Sequence, residues 1–179
     1  GGLPVPLVPV QILWMNLVTD SAPVLALGFE PGEREFLLRP PRHPKSEMLS
    51  RVLMGRILLV SVLMAAGTLG LYVLELRSGA RLEEAQTMAF TTLVMFQFFN
   101  AFNARSENQS ALHRGVLSNG WLNLGIFVGI LLQVLVIYTP GLQQVMHTTS
   151  LSTAHWGIII GVAASALVVV ELEKLMRRA

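Results

Sequence analysis

Long apolar runs separated by charged segments dominate the chain. The runs at 57–74 and 87–104 contain no charged residue, and the run at 115–170 contains no Asp, Glu, Lys or Arg. A helix needs about 20 apolar residues to cross a bilayer, so the third run is too long for one crossing. The turn sequence at 138–141, Tyr-Thr-Pro-Gly, divides it into two helices.

The segment at 3–29 is also apolar, and its one charged residue is Asp20. Prolines 4, 6 and 9 exclude a regular helix at its start, so we expect a helix from Pro9 to Leu27. The predicted fold class is therefore all-α, a polytopic membrane helix bundle of five transmembrane helices in a single domain over 1–179. The predicted spans are about 9–27, 57–75, 87–104, 121–138 and 153–171, and a cytosolic loop occupies 29–56.

Small residues four apart on these helices predict close contacts between helices. The pairs and triplets concerned are Ala66 and Gly70, Gly125 and Gly129, and Gly157, Gly161 and Ser165.

Composition agrees with a membrane protein. Hydrophobic residues make up 53% of the chain and charged residues only 13%, whereas soluble domains carry about 25% charged residues. A net charge of +2 and the lack of a basic stripe argue against nucleic acid as a partner, and the absence of cysteine excludes thiol chemistry. The histidines lie far apart in sequence, which predicts loop or interface roles for them: His43, His113, His147 and His155.

The distribution of Lys and Arg tests the number of spans. With five spans, 11 of the 13 basic residues fall on one side of the membrane, and only Arg77 and Arg81 fall on the other. Basic residues concentrate in cytoplasmic segments, so the bias predicts an outer N-terminus and a cytosolic C-terminus. The short outer loops are compatible with a bacterial plasma membrane.

The candidate site lies in the first helix. Asn16, Thr19 and Asp20 are spaced i, i+3, i+4, which places their oxygen-bearing groups on one helix face. An acid at bilayer depth costs at least about 2.5–3.5 kcal/mol, so it needs a partner or a function. Pro23 cannot donate to the carbonyl of Thr19 and weakens the helix there. Free carbonyls beside a carboxylate, an amide and a hydroxyl are suitable ligands for a hard cation.

An interhelical hydrogen-bonded stripe is the structural alternative for these residues. On the third span Gln97, Asn100 and Asn103 recur every three residues. We predict interhelical hydrogen bonds for Asn100 and Asn103, and we predict that Gln97, which lies deeper, faces Asp20.

Two sequence runs resemble a known family. The run VQILWMNLVTD…P…ALGFEP followed by RPPR is similar to transmembrane helix six and the next cytosolic loop of P-type cation-transporting ATPases, closest to the calcium-pump branch. The run NAFNARSENQS is similar to the end of helix eight in the same pumps. The resemblance covers nearly the whole chain as helices six to ten, although in the last two helices it is only architectural.

The resemblance implies roles for individual residues. Asn16 would ligate the second calcium site, Thr19 the first, and Asp20 both. The proline-rich loop would couple the membrane helices to the phosphorylation domain through Arg39, Pro40, Pro41 and Arg42. The implied cargo is Ca²⁺, with Mn²⁺ as the alternative, and Mg²⁺ and ATP would act in cytosolic domains that this chain lacks.

The chain departs from the family at two positions. Gln97 stands where two-site pumps have a glutamate, which removes one negative charge from the first site, and Ser21 stands where they have glycine, which implies less unwinding of the helix. We therefore hypothesise a pump that carries one divalent ion per cycle.

The fragment has no DKTGT phosphorylation motif and no nucleotide-binding segment. It supplies fewer oxygen ligands than the six to eight that calcium requires. We therefore expect it to have no catalytic residues and to be inactive alone, as one part of a pump with the lipid bilayer, the other membrane helices and the cytosolic domains as partners. The alternatives are a secondary cation or proton transporter, or a channel, that uses Asp20 as a relay, and a purely structural bundle.

Overall fold

The computed structural model describes residues 2–28, 51–105 and 118–176, and every regular element within these ranges is helical. The chain folds first into α1 (Pro9–Trp14), a π-helical segment (Met15–Asp20) and α2 (Ser21–Gly28), which together form one continuous rod. The longer helices follow, with one short helix, α6, among them: α3 (Arg51–Arg77), α4 (Leu82–Ala104), α5 (Gly120–Tyr138), α6 (Pro140–Met146) and α7 (Thr153–Met176).

The all-α prediction is confirmed for the described residues, and the helices extend beyond several predicted spans. Helix α3 begins at Arg51, inside the predicted loop at 29–56, and α7 continues to Met176. The predicted turn at 138–141 contains the start of α6, which has Pro140 in its first turn, where the missing N–H leaves no hydrogen bond unmade. Helix α6 ends at Met146, and the next residue, His147, caps it in a left-handed conformation with φ of 51°.

Helix α4 is the centre of the bundle. It packs against α3 and α7 on one side and against the π-helical segment, α2 and α5 on the other. From Ala85 to Phe96 every residue of α4 except Leu93 is buried. Three aromatic side chains of α4 fill the core, namely Phe90, Phe96 and Phe98.

Large apolar side chains cover the outside of the bundle. On α3 Leu58 and Val62 are 60% and 66% exposed, and on α5 Trp121 and Phe127 are 65% and 64% exposed. Exposed apolar surface on this scale marks contact with lipid or with other protein segments. Within the described residues, Val52–Arg77 and Gly120–Tyr138 are long and apolar enough to cross a membrane.

The glycine contacts only partly follow the predicted spacing. A Cβ on Gly129 would lie 2.5 Å from the Phe98 ring, so this glycine packs closely as predicted. On α3 the close contact is at Gly67, against Phe96 and Val162, whereas a Cβ on Gly70 would meet nothing within 4 Å. Gly157 and Gly161 are likewise open. The relevant face of each helix depends on where α4 lies, which a four-residue spacing does not determine.

Candidate functional site

The rod formed by α1, the π-helical segment and α2 carries the predicted ion ligands. The π-helical segment, Met15–Asp20, contains all three predicted ligands of this rod. In a π-helix each N–H bonds five residues back, which widens the turn, and such segments are frequent at functional sites. The predicted irregularity is therefore present, but as a widened turn and not as an unwound break.

Ser21 stabilises the widened turn. Its hydroxyl donates a hydrogen bond of 3.4 Å to the carbonyl oxygen of Asn16, five residues earlier. A glycine at this position would have no side chain to make that bond. The α-helix resumes directly at Ser21.

The predicted ligands differ in what surrounds them. Asn16 is exposed on the rod, and Gln97 is half-buried on α4. The backbones of Thr19 and Asp20 form the end of the π-helical segment, and the side chains of both lie outside the described part of the structure. The proline-rich loop at 39–42 also lies outside the described residues.

A buried glutamine on α5 connects the rod to the core. Gln133, which is fully buried, accepts a hydrogen bond of 3.3 Å from Trp14 Nε1 through its Oε1. Its Nε2 donates a second bond of 3.3 Å to Thr91 Oγ1 on α4. Trp14 immediately precedes the π-helical segment, so Gln133 fixes the position at which that segment begins. Gln133 was not among the residues predicted for the site, although an amide in the middle of an uncharged helix is a usable signal.

Side-chain hydrogen bonds also anchor both ends of the rod. Gln11, fully buried in α1, donates to the carbonyl oxygen of Met146 at 3.1 Å, at the end of α6. Asn119 Nδ2 donates to the carbonyl oxygen of Ala26 at 3.3 Å. The Asn119 side chain also accepts from the backbone N–H of Leu122 and thereby caps α5. The rod is therefore held against its neighbours above and below the π-helical segment.

Hydrogen bonds at two levels of α4 define the relative direction of the rod and α4. Gln86 on α4 bonds the carbonyl of Val5 at 2.8 Å, and Thr91 lies at the level of Trp14 through Gln133. The rod and α4 therefore run in the same direction. Asp20 follows Trp14 by as many residues as Gln97 follows Thr91, so the two backbone positions stand at similar heights in the bundle.

A cluster of charged side chains lies at the other end of the bundle, near the start of α3. Arg56 forms an ion pair of 2.9 Å with Glu173, and Lys174 lies 3.6 Å from Glu171. Lys174 lies beyond the predicted span. Its burial lowers its pKa, and the nearby Glu171 carboxylate partly offsets this. These residues hold the ends of α3 and α7 together.

Asn103 behaves as predicted for an interhelical residue. Its Nδ2 donates to the carbonyl oxygen of Ala166 on α7 at 3.1 Å. Asn100 and Asn103 both line a cavity of about 290 Å³ between α3 and α4, together with Arg56. The predicted interhelical hydrogen bond of Asn100 stays a prediction.

These observations define a class of protein: an all-helical bundle with apolar outer faces and a π-helical turn that carries an acid beside the central helix. The family described as "Cation transporting ATPase, C-terminus" matches residues 4–176. The chain belongs to this family of cation-transporting ATPases and corresponds to its C-terminal region.

Similar proteins come from bacteria and from animals. The chain is 39% identical, over 90% of its length, to the "Calcium-transporting ATPase" of Bacillus subtilis. It is 37% identical, over 98% of its length, to the human "Calcium-transporting ATPase type 2C member 1". It is also 37% identical, over 99% of its length, to the "Probable cation-transporting ATPase F" of Mycobacterium tuberculosis. The chain spans only 18%, 19% and 20% of the length of these relatives, respectively.

Proposed function

We propose that this chain is the C-terminal part of the membrane domain of an ATP-driven pump that transports Ca²⁺. The observation that carries the proposal is the π-helical segment Met15–Asp20, which packs against α4 near the level of Gln97. Two of the relatives described above are named calcium-transporting ATPases. In the complete pump, Asn16, Thr19, Asp20 and Gln97 contribute to the ion site, and helices outside this chain supply the remaining ligands.

The proposed architecture has five spans: the rod, α3, α4, α5 and α7. Apolar composition supports α3 and α5 directly, and the excess of basic residues on one side supports the number of crossings. This arrangement places the C-terminus and the loop that holds Arg39 and Arg42 in the cytosol. That loop then transmits movements of the phosphorylation domain, which uses ATP and Mg²⁺, to the rod.

The mechanism follows from the chemistry of a carboxylate at bilayer depth. A bound divalent ion offsets the cost of the charge on Asp20, and after the ion leaves, the desolvated carboxylate tends to take up a proton. Conformational change in the cytosolic domains then moves the rod and exposes the site alternately to the two sides. Proton uptake by Asp20 provides a route for countertransport.

The first prediction concerns Asp20. In the complete pump, Asp20→Asn should abolish Ca²⁺-dependent ATP hydrolysis and ATP-driven Ca²⁺ uptake, because the charge that binds the ion is lost. Glu83→Gln is the matched control, since it removes the same charge from an exposed residue of α4 and should leave both activities unchanged. Both activities should be assayed in vesicles across Ca²⁺, Mn²⁺, Na⁺ and K⁺. Intact Ca²⁺ uptake by Asp20→Asn, or uptake driven by an ion gradient without ATP, would contradict the proposal.

The second prediction concerns stoichiometry. With an amide at Gln97 in place of a carboxylate, the first calcium site lacks one negative charge, and we expect one Ca²⁺ transported per ATP hydrolysed. Simultaneous measurement of Ca²⁺ uptake and phosphate release in sealed vesicles gives this ratio. A ratio of two would show that Gln97 does not remove a site.

A further inference from the structure

Three ionisable side chains from three different helices meet at the end of the bundle remote from the Arg56–Glu173 ion pair. Glu75 lies near the end of α3, Glu84 in the first turn of α4 and His155 in the first turn of α7. Each offers one ligand atom, and these atoms all lie within 4.8 Å of one another. The distance between Glu84 and Gln97 along α4 is about 20 Å, so this group is separate from the proposed transport site.

The distances within the group differ from those of hydrogen bonds. His155 Nε2 lies 3.5 Å from Glu75 Oε1, and His155 Nδ1 lies 3.8 Å from Glu84 Oε1. Hydrogen bonds between nitrogen and oxygen are about 2.7–3.2 Å long. Two ligands that share a tetrahedral ion with bonds of about 2.0–2.1 Å are separated by about 3.4 Å. Each carboxylate lies beside a different ring nitrogen at a distance close to this value, and an ion would bind only one of the two nitrogens. With one ligand atom taken from each residue, the three atoms lie within 4.8 Å of one another, so small side-chain movements would bring them around one ion.

The histidine supplies a second, independent observation. Its Nδ1 is buried and has no hydrogen-bond partner. A buried polar atom without a partner costs about 1–3 kcal/mol. A metal ion bound to Nδ1, the nitrogen beside Glu84, would supply the missing partner and remove that cost.

The backbones that carry the ligands are held in place locally. The backbone N–H of His155 donates to Ser152 Oγ at 3.2 Å, which caps the start of α7. At the end of α3, Ser78 Oγ donates to the carbonyl oxygen of Glu75 at 2.7 Å. Since α3, α4 and α7 also pack against one another, the three ligands are presented by a rigid unit.

The donor set selects the ion. One imidazole and two carboxylates form a ligand set suited to Zn²⁺, and they leave a fourth position for water. Calcium and magnesium prefer oxygen ligands throughout, and calcium needs six to eight of them. The side chains are 18–28% exposed, so an ion can enter from solvent.

We propose that Glu75, Glu84 and His155 form a Zn²⁺ site that joins the ends of α3, α4 and α7. The site does not depend on the transported ion or on ATP hydrolysis. With the proposed topology it faces the outside of the membrane. The competing arrangement is a protonated His155 that bridges two carboxylates without any metal.

The test is Zn²⁺ binding by the complete, metal-stripped protein in nanodiscs, measured by titration calorimetry. We expect wild-type protein to bind one Zn²⁺ more than His155→Ala and Glu84→Gln, or to bind that ion at least about 100-fold more tightly, since loss of even an outer-shell partner costs 10–100-fold. His147→Asn is the control, because His147 is exposed and asparagine tolerates its left-handed backbone. This variant should bind as wild type does.

Two further measurements decide between the outcomes. X-ray absorption at the zinc edge should show nitrogen and oxygen ligands with one imidazole in wild-type protein. If His155→Ala unfolds, as judged by circular dichroism and gel filtration, Glu84→Gln and Glu75→Gln carry the test, because both keep side-chain volume. Equal Zn²⁺ binding in wild-type protein and in the folded variants would overturn the proposal and leave a charge-paired cluster only.

Discussion

At the scale of single residues, side-chain size governs the contacts of the central helix. The Phe98 ring occupies the space that a side chain on Gly129 would need, and the Phe96 ring does the same at Gly67. Protein interiors are close-packed, so such a position tolerates no additional atom without movement of its neighbours. Gly70, one turn from Gly67, has no such constraint.

This difference gives a prediction with an internal control. Gly129→Ala should destabilise the bundle by about 1–3 kcal/mol, because the new Cβ overlaps the Phe98 ring. Gly70→Ala adds the same atom in open space and should be neutral or stabilising by up to about 1 kcal/mol, since alanine favours the helix. The midpoints of thermal unfolding in detergent compare the two variants. Equal stability of Gly129→Ala and Gly70→Ala would show that the packing around Phe98 adapts.

At the scale of elements, the π-helical segment depends on contacts at its two ends. Trp14 precedes it and bonds to Gln133, and Ser21 follows it and bonds across the widened turn. Pro23, in the rod itself, weakens the α-helical hydrogen bonding locally. Gln133, on the distant helix α5, holds the start of the segment in its place in the bundle. π-Helical turns are rare, and these contacts at both ends favour this one.

The role of Gln133 can be tested with a pair of substitutions. Gln133→Leu should cost about 1–3 kcal/mol, because it leaves the indole N–H of Trp14 without its partner. Gln144→Leu, at an exposed position of α6, is the control and should have little effect. In a double-mutant cycle, Trp14→Phe should recover part of the loss, since it removes the unpaired donor. Strictly additive unfolding free energies would indicate that the bond does not contribute.

At the scale of the whole molecule, the bundle has apolar residues both in its core and on its outer faces. The exposed side chains of α3 and α5 and the buried aromatic rings of α4 are equally apolar. Lipid and protein provide similar surroundings for such residues, so burial within the bundle does not distinguish them. Apart from Asp20, the charged residues of the described ranges collect at the two ends, where the Arg56–Glu173 pair and the Glu75–Glu84–His155 group lie.

The orientation of the bundle leads to a labelling prediction. The chain contains no cysteine, so single cysteines can serve as reporters once any others in the complete pump are replaced. A membrane-impermeant maleimide added from outside should label Ser78→Cys and Ser152→Cys, which are exposed positions that the proposed topology places on the outer side. Ser110→Cys should react only after permeabilisation. Labelling of Ser110→Cys in intact cells would contradict the proposed topology.

Much of the architecture could be predicted from the sequence because hydrophobic patterning and turn chemistry act locally. The apolar runs and the turn at 138–141 determine where helices form. Asp20, with Pro23 three residues later, marks where the rod is irregular. The tertiary structure alone decided which residues meet. It placed α4 at the centre, selected Gly67 over Gly70 and joined Gln133 to Trp14. It also brought Glu75, Glu84 and His155 together from three helices, because contacts between distant segments depend on how the helices pack and not on spacing within any one of them.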